Sequence, residues 1–178
     1  MTKRWIVLSA AVWLLAASQT FAANDIIKTI KGTKIEGKIR RITPTEVAIE
    51  ELAGSEMVPV NEIDSITFAE DPAALKGVRI NVGKDNGQFE EALKNLAKIK
   101  VDTIERAEIK QDIDYYRAYA EARLALLGNR DIVEAGKNMK AFVTANPDSY
   151  HYYEAWDPRR PAGGDQQALH GAGILRAS

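Results

Sequence analysis

The sequence predicts an α+β protein: a small five-stranded β-barrel at 24–70, then antiparallel helical hairpins at 72–156 stacked as an α-solenoid. Three observations predict it. Lys34-Ile35-Glu36-Gly37-Lys38-Ile39-Arg40 alternates apolar and polar without a break, the period of a half-buried strand. From Phe89 onward the apolar residues recur at steps of three and four, the period of a helix with one buried face. Between 109 and 127 a longer segment carries two apolar strips, which a helix sandwiched between neighbours would need.

The first 22 residues read as an export signal. Lys3 and Arg4 give a positive start, residues 5–17 are an apolar run of 13, and Thr20-Phe21-Ala22 places small residues where a signal peptidase reads. Cleavage is expected after Ala22. The run is shorter than the roughly 20 residues that cross a bilayer, so no stable membrane span is expected after cleavage. The expected location is the periplasm or cell envelope, or the medium beyond it. The chain has no Cys, which excludes disulfides, thiolate metal sites and cysteine nucleophiles. A net charge of −1 gives no pull toward nucleic acid or anionic lipid.

The β unit opens with Ile26, Ile27 and Ile30 and turns at Lys31-Gly32. Ile35, Gly37 and Ile39 of the second strand should face inward, with Gly37 where a strand bends or another approaches closely. Thr43-Pro44-Thr45 turns the chain into a third strand at 46–52, with Val47 and Ile49 inward. Met57-Val58-Pro59-Val60 is a fourth, with Pro59 on an edge. Asn61-Glu62-Ile63 fits one helical turn, and Ser65-Ile66-Thr67-Phe68 a fifth strand. Lys34, Lys38, Arg40 and Arg41 form a basic stripe. Glu46, Glu50 and Glu51 on the next strand can pair with it, and no aromatic stands there for a base to stack on, so a solvated charged face is expected rather than a nucleic-acid site.

Pro72 starts the first helix, weakened by Gly77 and Gly83. The second carries Phe89, Ala92, Leu93, Leu96 and Ile99. After a connection at 99–104, the long helix carries Ile109, Ile113, Tyr116, Ala120, Leu124 and Leu127 on one strip and Tyr115, Tyr119, Ala122 and Leu126 on the other. Gly128 restarts the pattern with Ile132, Ala135, Met139 and Phe142, and Asn146-Pro147 stops it.

Over about 75 residues this half resembles the tetratricopeptide repeat family. Gly87, Phe89 and Ala92 match the Gly, aromatic and small Ala of the repeat's first half. Gly128 sets up the restart, and Ala135, Met139, Phe142 and Pro147 match the second half. Ala92 and Ala135 lie 43 residues apart, longer than the family's period of about 34, and Phe142 stands where the family has Ala. The order of five short strands with a one-turn helix before the last resembles the Sm-like and SH3-like small barrels. The first resemblance implies a helical array that presents a groove to a protein or peptide.

No motif for chemistry is evident. There is no G-x-S-x-G, P-loop or H-E-x-x-H, and no cofactor is expected. An unrecognised envelope hydrolase or metal-dependent enzyme would have Asp112, Asp114, Asp131 and His151 as raw material. Asp112 and Asp114, two apart on a helix, point to different faces. A third possibility is cell-wall polymer binding by the barrel. The favoured expectation is an exported, non-enzymatic interaction or scaffold protein. Tyr115, Tyr119 and Tyr153 are the candidate partner-binding residues, since aromatics with a polar tip suit interfaces, and core packing is their other role.

Helical character resumes at 148–155 and ends at Asp157. Two prolines and four glycines in 158–178 oppose a helix. Two readings stay open for 157–178: a native linker, or the product of a reading-frame slip near Asp157. Synonymous codon choice permits a neighbouring frame with helical spacing and a Gly-Tyr-Tyr restart. On either reading the tail should be poorly ordered. It should leave the apolar side of 131–143 partly uncovered, a surface open to self-association.

Overall fold

The structure, a computed structural model, describes residues 24–83 and 87–157. The expected signal at 1–22 and the tail from 158 lie outside the described residues. Five antiparallel strands come first: β1 (Asp25–Thr29), β2 (Lys34–Ile42), β3 (Glu46–Glu51), β4 (Gly54–Pro59) and β5 (Ile63–Thr67). Five helices follow: α1 (Ala73–Val82), α2 (Phe89–Leu96), α3 (Ala107–Leu126), α4 (Ile132–Ala145) and α5 (Tyr152–Ala155). The α+β class stands.

The sheet order is β4-β3-β2-β1-β5, and β4 and β5 remain its two edges. The expected barrel is therefore corrected to an open sheet. The 3-10 turn Val60–Glu62 explains why. Val60 N–H donates to Thr45 O and Ile30 N–H donates to Glu62 O, both at 2.9 Å. Pinned at both ends of the sheet, the turn delivers β5 to β1 rather than beside β4.

Alternation decides which face is buried. Ile27 sits opposite Ile35, Ile39 opposite Ile49, and Val47 opposite Val58, and all six are buried. Two of the outward charges of the basic stripe pair across the strands as expected. Arg40 bonds Glu50, and Arg41 Nη2 donates to Glu46 Oε1 at 2.8 Å.

Gly37 is fixed by space. A Cβ there would overlap the Glu50 carbonyl oxygen and come within 3.0 Å of Ile49 Cγ1. Gly37→Ala must push β2 and β3 apart and is expected to destabilise by about 1–3 kcal/mol. Gly136 on α4 meets nothing within 4 Å, so Gly136→Ala should instead gain up to about 1 kcal/mol. Urea midpoints of the two variants should move in opposite directions.

The helices pack in sequence, α1 on α2, α2 on α3 and α3 on α4. As its two strips require, α3 is buried on several sides, by Ile109, Ile113, Tyr116 and Leu124 and by Tyr115, Tyr119 and Ala122. The strips fail at the C-terminal end. Leu126 and Leu127 are exposed there, and Ile132 and Val133, across the turn at Gly128, are exposed with them. Gly128 takes φ +80 to end α3. Asp131 caps α4, its Oδ1 accepting from Val133 N–H at 2.7 Å and Glu134 N–H at 3.0 Å.

One buried ion pair joins the halves. Asp25, on β1, accepts from Arg106 Nη1 at 2.7 Å and Nη2 at 3.0 Å, and from the backbone N–H groups of Ile39 and Ala69, both at 2.9 Å. The Arg106 guanidinium lies 4.4 Å from the Phe68 ring centroid.

Candidate functional site

Two places concentrate polar chemistry: a buried cluster at the junction of α1, α3 and α5, and an open groove between α3 and α4.

Each member of the cluster is set by helical spacing. Asp112 falls three residues after Ile109 and four before Tyr116, on the buried face of α3, and is fully buried. Arg79 falls four after Leu75 on the buried face of α1. Its Nη2 donates to Asp112 Oδ2 at 2.6 Å and its Nη1 to Asp71 Oδ2 at 2.5 Å. His151 comes from the turn before α5. Its Nε2 lies 3.3 Å from Asp112 Oδ1, an ion-pair distance without hydrogen-bond alignment, and its Nδ1 lies 3.0 Å from Glu154 Oε2. The imidazole stacks on Tyr115 at 3.6 Å between centroids and 9° between planes, and Tyr150 closes the other side at 3.9 Å.

Burial pushes the Asp112 carboxyl up, but Arg79, then His151, outweigh it and hold it below the usual carboxylate range. Asp71 shares the same guanidinium, yet burial prevails there and its pKa is raised. One cation thus serves two carboxylates and favours the deeper. Burial drives Tyr115 and Tyr150 well above the ordinary tyrosine value.

The residues proposed as raw material for an enzyme are dispersed. Asp112 and His151 meet, Asp114 lies on the outer side of α3 beside Arg117 at 3.4 Å, and Asp131 is engaged as a helix cap. A carboxylate lies beside each ring nitrogen of the buried His151. Among the described residues, no group of three or more His, Asp or Glu is placed to hold a metal ion.

The partner-binding candidates also separate. Tyr115 and Tyr119 are fully buried, Tyr115 against His151 and Phe142, Tyr119 against Phe89, so neither reaches the surface of this structure. Tyr153 is exposed, and Trp156 near it more so. Of the repeat-motif residues, Phe89, Ala92 and Ala135 are buried where helices meet. A Cβ on Gly87 would overlap the Phe89 ring. Pro147 follows α4 on the surface.

The groove encloses about 360 Å³. Its lining is apolar at Ala118, Ala141, Phe142 and Ala145, of which Ala118 and Phe142 are buried, and polar at Asp114, Arg117, Glu121, Asn138 and Asn146. Asn138 Nδ2 donates to Glu121 Oε2 at 2.7 Å. Burial raises the Asp114 pKa, with Arg117 opposing. A second hollow of about 290 Å³, reaching Leu93, Arg130 and Glu134, shares Glu121 and Asn138 with the first. A groove in the helical array was legible only as what the repeat resemblance implies, and its place between α3 and α4 was not specified. The Asp112–His151 meeting was not legible, although an acidic residue among the apolar positions of α3 was its signal.

No protein-family model matches the chain, and neither a curated protein nor a solved structure is measurably similar to it. No helix among the described residues is long and apolar enough to cross a membrane.

Proposed function

We propose that the protein is an exported, non-enzymatic interaction or scaffold protein whose helical half receives a protein or peptide between α3 and α4. The groove carries this reading: an apolar lining that includes Ala141 and Ala145, one helical turn apart, beside charged and amide groups that would set orientation. The resemblance of 87–147 to tetratricopeptide repeats and the export signal at 1–22 support it. Tyr153 and Trp156 extend the available aromatic surface. The exposed apolar residues at the α3–α4 turn would add self-association at high concentration.

Capture from an envelope extract tests the reading. Protein beginning after Ala22 should retain a specific partner. Ala141→Arg fills the groove from an exposed helical position and should release that partner without lowering the melting temperature. Recovery of no partner by a folded protein, or the same partner with Ala141→Arg, overturns the proposal.

A further inference from the structure

Residues 149–157 have little support of their own. Helix α5 has four residues, far below the length at which a helix persists alone, so side chains hold the segment in place. Ser149, Tyr150, His151 and Ala155 are its buried members. His151 has the most demanding surroundings, because each ring nitrogen faces a carboxylate. A neutral imidazole has one N–H and one lone pair. Whichever nitrogen keeps the proton, the other carries its lone pair close to a carboxylate oxygen, Asp112 Oδ1 or Glu154 Oε2. Only the imidazolium is attracted on both sides.

The other described groups packed on the ring are tyrosines, and the nearby guanidinium is already engaged. From α3, Tyr115 is stacked on the ring and Tyr116 meets it edge-on at 5.4 Å. From its own segment, Tyr150 covers the other face. Arg79 of α1 is committed to the far oxygen of Asp112 and to Asp71. With His151 charged, Asp112 and Glu154 each lie beside a positive ring nitrogen; with it neutral that attraction is lost on at least one side, in a site nearly closed to water.

We infer that His151 is a proton-operated latch, which as imidazolium fastens 149–157 onto α3 and on losing its proton lets the segment lift away from Tyr115. Opening exposes Tyr115 and Tyr116, a tyrosine surface hidden in the closed form. This mechanism does not depend on what occupies the α3–α4 groove.

Burial alone would lower the His151 pKa, but Asp112 and Glu154 outweigh it and the value is raised. The latch is therefore fully engaged below the unfolded histidine value of about 6.5, and its hold fades as pH rises through the higher folded value. Asp112, held low, stays ionised throughout.

Hydrogen exchange of the whole chain from pH 6 to 9, corrected for intrinsic rates, tests the latch. Amides of 149–157 should lose protection above the folded pKa by up to about tenfold per pH unit, the limit for one proton, while those of α4 hold. His151→Phe keeps a ring over Tyr115 and should abolish the step. Glu154→Gln removes one carboxylate and should move it to lower pH, which keeps the test decisive if the phenylalanine variant does not fold. Protection that is flat across this range, or a step unchanged in the variants, overturns the proposal.

Discussion

Asp112→Asn is expected to destabilise the protein by about 3–5 kcal/mol, the range for breaking a buried ion pair from one side. The carboxylate is fully buried and faces two cations, Arg79 at 2.6 Å and His151 at 3.3 Å. The amide removes the charge and leaves both cations in a dry site, with Asp71 the other carboxylate on Arg79 among the described residues. Arg79→Met should cost heavily for the converse reason, since Asp71 and Asp112 then repel without a cation between them. The pair Arg79→Met with Asp112→Leu should cost clearly less than the two singles added, because neither end of the Arg79–Asp112 contact is then left charged, while Asp71 loses its guanidinium equally in the single and the double. Urea unfolding of the four proteins gives the coupling. An Asp112→Asn midpoint indistinguishable from the parent would show that the cluster adds nothing to stability.

That cluster also marks where sequence reasoning stops. Alternation in 34–40 placed Ile35, Gly37 and Ile39 inward because strand period and burial are local properties, and the structure agrees. Whether β5 joins β4 or β1 is not local. It depends on where the turn Val60–Glu62 is anchored, by partners at Thr45 and Ile30 that no short pattern specifies. In α3 the spacing correctly buried Ile109, Ile113 and Tyr116. The same spacing puts Asp112 between them, and a carboxylate on a buried face requires a cation from elsewhere in the chain. The sequence thus contained the demand but not the supplier. Arg79 comes from 33 residues earlier, and His151 from a turn far downstream with no motif around it. Tyr115 and Tyr119 were open to either role because an amphipathic ring suits core and interface alike, and only the neighbours of α3 decide.

The Asp25–Arg106 pair should have an effect as large as that of Asp112, and it should differ in kind. These residues are separated by 81 positions, and their contact ties the first strand to the start of the longest helix. Four N–H donors converge on one carboxylate, two from Arg106 and one each from Ile39 and Ala69. Asp25→Asn weakens the acceptor and turns an amide toward those donors. Arg106→Ala strips the pair and uncovers Phe68. Each is expected to cost about 3–5 kcal/mol. Arg106→Lys should recover little, since an ammonium cannot reproduce the two-pronged contact or the flat stack on the ring. Acid should reproduce the defect. Burial raises the Asp25 pKa, but Arg106 and the two backbone N–H groups outweigh it and hold it low. Its contribution is therefore present above the unfolded value of about 3.9 and is lost as pH falls through the folded one. The change in kind is in cooperativity. All six tyrosines lie in the helical half, so near-ultraviolet circular dichroism of tyrosine follows the helices, while hydrogen exchange of β1 to β5 follows the sheet. In the parent the two probes should report one transition. In Arg106→Ala they should separate, the sheet opening at lower urea than the helices. Coincident transitions in that variant would mean that the shared apolar core, and not this ion pair, couples the two halves.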